Sequence, residues 1–168
     1  LAAWLREGLS PEQVLARLAP QPGETVVDAT LGCGGHAAAM CKALAGHGLL
    51  IGLDVDSAAL DAAGAKLVGG NTPVRLHRSN FAELPAVLWA EGLTQVDVIF
   101  ADLGLSSMQI DAPGRGMHYK DDGPLDMRMD GRLSTTASDL LHRLSEQELA
   151  AALRDYGDEP AAERIAQW

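Results

Sequence analysis

The chain has 168 residues, a hydrophobic fraction of 47% and a formal net charge of −10. That length fits one ordinary domain, or one domain with an appendage, and the apolar content excludes a disordered chain. A sequence pI near 4.8 argues against a basic, nucleic-acid-coating surface, although a single nucleotide could still enter a local pocket.

Two cysteines, Cys33 and Cys41, are too few for a disulfide framework and lack metal-site spacing with matching histidines. They read as reduced thiols of a cytoplasmic protein. No apolar run approaches the ~20 residues of a membrane span. The first segment is amphipathic and charged, unlike a signal peptide. The expectation is a cytoplasmic chain with no metal and no membrane partner.

Residues 1–18 read as helical, with Ser10 as cap and Pro11 in the first turn of a helix start, and Pro20-Gln21-Pro22-Gly23 ends that segment. Thr25-Val26-Val27-Asp28-Ala29 is the first predicted strand. A glycine-rich turn over 31–35 leads to a helix over 37–44, stopped by Gly46-His47-Gly48. Strand two covers 49–53, and Ser57 caps a helix running to Leu67. Strand three covers 73–77, a helix follows over about 81–89, and strand four covers 96–101. Strands spaced by about 24 residues with helices between them imply right-handed βαβ units. Their near-continuous apolar character fits a parallel sheet covered on both faces.

After Asp102 the rhythm changes. Residues 104–131, rich in Gly, Pro, Asp and Met, read as a structured loop. Two short helices follow over 134–144 and 146–156, the second opened by Ser145 with Glu148 three residues on, and a last helix over 160–168.

The strongest chemical signal is Val27-Asp28-Ala29-Thr30-Leu31-Gly32-Cys33-Gly34-Gly35-His36, between a strand and a helix. Glycines there let the backbone approach a ligand, and the helix start offers N–H groups to polar or anionic atoms. Asp54 ends strand two roughly 20 residues later, where an acid accepts both hydroxyls of an adenosine ribose. Asp56, beyond the strand end, suits the plainer role of capping the next helix.

Gly32-x-Gly34-x-x-Ala37 also satisfies the loose dinucleotide fingerprint, so a hydride-transferring NAD enzyme remains a rival. Two features favour S-adenosylmethionine. Asp28 precedes the loop, where it can hold the loop backbone or sit near the cofactor's amino-acid end. A second acidic strand end, Asp102, lies on strand four. Phe81 could cover an adenine ring or be a core residue of the next helix. Gln109 could bond a ligand or satisfy its own loop. The segment from Asp121 to Asp130 mixes acids, turn formers and large apolar residues. It is either a self-satisfied surface loop of Asp–Arg pairs or, as loops beyond strand ends often are, part of a site.

VDATLGCGGH, LDVDS, SNFAEL, DLGLSSMQID, RGMHYKDDGPLDMRMD and YGDEPAAERIA, in this order, closely resemble the ribosomal RNA small subunit methyltransferase H family. The resemblance covers roughly residues 12–166, and DGPLDMRMD is its most specific part. It implies an α/β fold of the Rossmann-like class I methyltransferase type, of which this chain carries the first four strands and part of a helical insertion. Residues 1–104 would bind S-adenosyl-L-methionine, and 105–168 would form an incomplete substrate-recognition insertion. The resemblance also implies methylation of the exocyclic N4 of a cytosine in small-subunit ribosomal RNA.

The family's cofactor contacts fall on Gly34, Gly35, His36, Asp54, Phe81, Asp102 and Gln109. Asp102 is the candidate for the reacting amine's neighbourhood. Arg115, Lys120, Asp126, Arg128 and Arg132 are candidate RNA contacts. Arg6-Glu7-Gly8-Leu9-Ser10-Pro11 stands where the family has a His-x-Pro-Val-Leu segment, and the family continues past the insertion into further strands. The chain is therefore expected to be a fragment or truncated member. Its strand-four edge is expected to be covered by a partner chain, by the segment after Asp102 or by dimerisation. A non-catalytic module that binds a nucleotide or RNA is the second rival.

Overall fold

The structure is a computed structural model that describes residues 10–106, 109, 110, 112, 114–118 and 122–168. It divides into two compact units, Leu1–Gly104 and Leu105–Trp168. The predicted helix over residues 1–9 and the candidate contact Lys120 lie outside the described residues.

In the first unit, α1 (Pro11–Leu18) starts at a complete capping box. The Ser10 hydroxyl accepts from the Gln13 N–H while the Gln13 side chain accepts from the Ser10 N–H. Strands β1 (Thr25–Asp28), β2 (Leu49–Asp54), β3 (Val74–Arg78) and β4 (Val98–Phe100) alternate with α2 (Gly35–Leu44), α3 (Ser57–Leu67) and α4 (Leu84–Ala90). The helix expected over 81–89 begins as a 3-10 turn, Phe81–Glu83, before α4. Asp56 rather than Ser57 is the N-cap of α3, its carboxylate accepting the Ala58 N–H at 3.0 Å. Asp56 reaches N2 because its own backbone is still extended, whereas Ser57 is already helical.

All strand pairs are parallel, in the order β3-β2-β1-β4. The chain builds outward from β1 through β2 to β3, then returns to the other side of β1. In such sheets ligands bind beyond the carboxyl ends of the strands, where the order reverses. Register places Asp28 level with Gly52 on β2 and with Phe100 on β4.

Side chains alternate between the two faces. Val26, Leu50 and Phe100 join Leu31, Ala37, Met40, Leu44, Ala63 and Val14 in one apolar cluster. Val27, Ile51 and Leu53 join Ala29 and Val87 in the other. β4 forms one edge of the described sheet, and its Ile99, level with buried Val27, is 54% exposed.

The second unit contains α5 (Ala137–Arg143), α6 (Glu146–Gly157) and α7 (Ala162–Ala166). Thr136 with Asp139 and Ser145 with Glu148 form capping boxes at the starts of α5 and α6. Helix α6 ends at Asp158 in the left-handed conformation, and Arg154 on α6 pairs with Glu163 on α7.

Gly48 lets the turn before β2 close. Its φ is +117°, and a Cβ there would lie 2.3 Å from the Glu24 carbonyl oxygen, which accepts the Leu49 N–H at 3.0 Å. Gly48→Ala is expected to cost at least about 2 kcal/mol of stability. Urea unfolding of the two proteins side by side measures it, and equal midpoints would refute it.

Candidate functional site

The glycine turn is held by the strands on either side of it. The Gly32 N–H donates to Asp54 Oδ2 at 2.8 Å, and the Leu31 N–H donates to the Leu53 carbonyl at 2.9 Å. Asp54 Oδ1 accepts the Asp56 N–H at 2.9 Å. Each carboxylate oxygen has two lone pairs, so each oxygen of Asp54 keeps capacity for one further donor.

Gly34 is the N-cap of α2 at φ 72°, a left-handed conformation that glycine adopts without strain. A Cβ there would lie 3.0 Å from the Ala63 Cβ, so the same glycine allows α2 to approach α3. Around Gly35 a Cβ would meet nothing within 4 Å. Gly35 opens α2, so this clearance lies at the positive end of a helix. The His36 ring packs against Phe100 with centroids 4.9 Å apart.

Asp28 and Asp102 are linked through one residue. Asp28 Oδ1 accepts the Thr30 N–H at 3.2 Å, while the Thr30 hydroxyl accepts the Asp102 N–H at 2.7 Å. Asp28 is 1% exposed, whereas the Asp102 side chain is exposed. Burial raises the Asp28 carboxyl from 3.8 to about 6, with the Asp54 and Asp102 charges adding to the rise. The Thr30 N–H and the His36 ring oppose it.

Phe81 is 51% exposed on the turn after β3, not a core residue. The Asn80 and Glu83 side chains hold that turn in a capping box, and buried Ser79 donates its hydroxyl to Glu83 Oε2 at 2.7 Å. Sequence reasoning singled out Gly34, Gly35, His36, Asp54 and Asp102 but missed Thr30 and Phe100. Thr30 carried a signal, since it lies inside the glycine motif. Phe100 carried none, because an aromatic residue in an apolar strand reads as core.

The remaining candidate residues belong to the second unit. Gln109 is 6% exposed, and its side-chain oxygen accepts the Ser106 N–H at 3.0 Å. Over residues 125–130 the acid-rich segment alternates between more and less exposed side chains. Leu125, Met127 and Met129 are 43%, 47% and 42% exposed, while Asp130 between them and Arg132 is buried. Arg128 grips Asp126 through two hydrogen bonds, Nε to Oδ1 at 2.7 Å and Nη2 to Oδ2 at 2.6 Å, and reaches the Leu133 carbonyl with Nη1. Arg132 grips Asp130 in the same way. This fork holds Asp126 down at about 2.

The backbone of the segment is tied at both ends. The Met127 N–H donates to the Arg115 carbonyl, and the Leu125 and Asp126 carbonyls accept from Ser138 and Ala137 at the start of α5. The sequence expectation of Asp–Arg pairs within this loop describes its geometry, and Arg128 and Arg132 spend guanidinium donors there.

The first unit is a Rossmann-like parallel α/β sheet flanked by helices. The solved structure of PH0851 shares this fold with a TM-score of 0.52 at 23% identity, over 62% of this chain and 23% of that one. The MraW methylase family model matches residues 9–168, and the chain belongs to that family. It is 47% identical over 157 residues to the ribosomal RNA small subunit methyltransferase H of Syntrophotalea carbinolica, covering 94% of this chain and 50% of that protein. It is 50% identical to the protein of the same name from Heliobacterium modesticaldum, over 93% of this chain and 50% of that protein. The chain spans about half the length of the curated relatives it matches. Membership of a methylase family sets aside the hydride-transfer reading of the glycine turn. Among the described residues, no helix is long and apolar enough to cross a membrane.

The raised Asp28 carboxyl has a consequence for stability. Between pH 3.8 and about 6 the folded protein keeps a proton that the unfolded chain releases. The stability from this group is full below 3.8 and is lost as pH rises through about 6, a change of roughly 3 kcal/mol. Asp28→Asn has no charge to bury. Its stability relative to wild type is therefore expected to improve between pH 4 and pH 7.5, as read by urea unfolding at both values. A pH-independent difference would refute the assignment.

Proposed function

We propose that this chain is the cofactor-binding part of an S-adenosyl-L-methionine-dependent methyltransferase that acts on the exocyclic N4 of a cytosine in small-subunit ribosomal RNA. The observation that carries the reading is the corner at the strand tips, where Gly34–His36, Asp54 and the Asp28–Thr30–Asp102 link converge on the opening turn of α2. The RNA substrate is carried over from the relatives named ribosomal RNA small subunit methyltransferase H, and the proposed substrate assembly is the small ribosomal subunit.

The residues fit the cofactor. The open space at Gly35 and the N–H groups of α2 suit a carboxylate, and the spare lone pairs of Asp54 suit a pair of ribose hydroxyls. Half-exposed Phe81 offers an aromatic face to an adenine. Bound S-adenosylmethionine supplies a methyl group already electrophilic on its sulfonium.

The chain's own task is to hold the acceptor amine in line and to receive its proton. A cytosine amine is a weak nucleophile, its lone pair being delocalised into the ring, so positioning supplies much of the rate. Asp102, exposed just beyond β4 with its N–H held by Thr30, is the proposed acceptor of that proton. Arg115, Lys120, Asp126, Arg128 and Arg132 are the proposed RNA-facing group. The paired arginines act there chiefly by shaping the loop, which leaves Leu125, Met127 and Met129 outward.

Methyl transfer to small ribosomal subunits, with the modified base identified by mass spectrometry, tests the substrate. N4-methylcytosine is the expected product, and a methyl group on any other atom would overturn the assignment. Asp102→Ala is expected to slow transfer by about 10²-fold or more with a smaller change in donor affinity. Full methylation by that variant would remove Asp102 from the mechanism.

A further inference from the structure

Among the described residues, Asp28 Oδ2 is buried with no hydrogen-bond partner, on a residue that is 1% exposed. Its twin Oδ1 is served by the Thr30 N–H. A folded protein rarely leaves a buried carboxylate oxygen unanswered, and each such oxygen calls for a physical explanation.

The neighbours of this carboxylate define what kind of partner fits. β1 lies between β2 and β4, and those strands bring the Asp54 and Asp102 carboxylates to act on Asp28 through space. The first turn of α2 brings the His36 ring, which pulls the other way. The cluster thus places three carboxylates against one imidazole. It is short of positive charge, and Asp28 is the member the fold buries.

Within the donor-binding reading given above, we propose that Asp28 is a proton-exchanging positioning residue that lets the site tell a sulfonium donor from its neutral thioether product. Entry of the cationic ligand releases the Asp28 proton to solvent. Exchange of that ligand for the neutral one returns a proton from solvent. No covalent bond other than the O–H of Asp28 is made or broken in this exchange. Donor and product share their ammonium and carboxylate charges, so any difference in proton release reports the sulfonium alone. The raised Asp28 carboxyl, at about 6, means that the group holds a proton to give up at and below about pH 6. Selectivity for the donor should therefore grow as pH rises through that value.

Calorimetric titration of the chain with S-adenosylmethionine and with S-adenosylhomocysteine tests this at pH 5.0, 6.0 and 7.5, each in two buffers of different ionisation heat. The donor is expected to release more protons than the product at pH 6.0. The ratio of product Kd to donor Kd is expected to rise at least about threefold from pH 5.0 to pH 7.5. Asp28→Asn should bind both ligands and lose both effects. In case that variant fails to fold, carboxyl 13C NMR of the wild-type chain gives a second readout. The Asp28 signal should titrate near pH 6 when free, shift to lower pH with the donor and stay with the product. Equal proton counts for the two ligands, or a difference that survives in Asp28→Asn, would overturn the inference while leaving the donor-binding reading intact. Binding of neither compound at any pH would overturn both.

Discussion

The hydrogen bond from the Gly32 N–H to the Asp54 carboxylate ties the turn after β1 to the tip of β2, and the rest of the candidate site depends on it. The turn must rise from a strand buried on both faces and immediately start a helix. Left alone, its backbone groups would face a crevice with no partners. The Asp54 carboxylate and the Leu53 carbonyl satisfy two of them from the neighbouring strand. Because parallel register sets β1 and β2 side by side, Asp54 reaches the turn two residues beyond the position level with Asp28. The carboxylate that fixes the loop is thereby the one best placed to meet a ligand's hydroxyls.

The same economy appears on the other side of β1. Thr30 uses its backbone to hold Asp28 and its hydroxyl to hold Asp102, so one small residue sets the relation between a buried acid and an exposed one. The two acids differ in character because of environment alone. Asp28 lies beneath the turn and clings to its proton, whereas Asp102 lies beyond the short strand β4 and faces water. In the second unit charge is handled differently. Arg128 and Arg132 close forks on Asp126 and Asp130, while Leu125, Met127 and Met129 between and beside them stay exposed.

Much of the first unit was legible because its signals are local. The β-branched strand Thr25–Asp28, the glycines that follow it and the Ser10 capping box each express preferences that act within a few residues. Boundaries shifted where a long-range effect decided them. Strand β4 is only Val98–Phe100 because ladder pairing with β1 covers just those residues, although the apolar run is longer. The N-cap of α3 passed to Asp56 for a geometric reason that composition at Ser57 does not reveal. In the site, Gly34, Asp54 and Asp102 could be named from motif and strand position. The core reading of Phe81 could be set aside only once its exposure was known.

The sequence by itself determined the alternation of strands and helices, the glycine turn and the acids at three strand ends, since spacing and residue type suffice for these. Only the tertiary structure decided that Asp28 is buried with an unanswered oxygen, that Thr30 joins it to Asp102, and that the loop arginines are occupied by their own aspartates. The physical reason is that desolvation and hydrogen-bond partnership depend on what lies across the fold. An aspartate written in a sequence carries no record of the strands that will bury it.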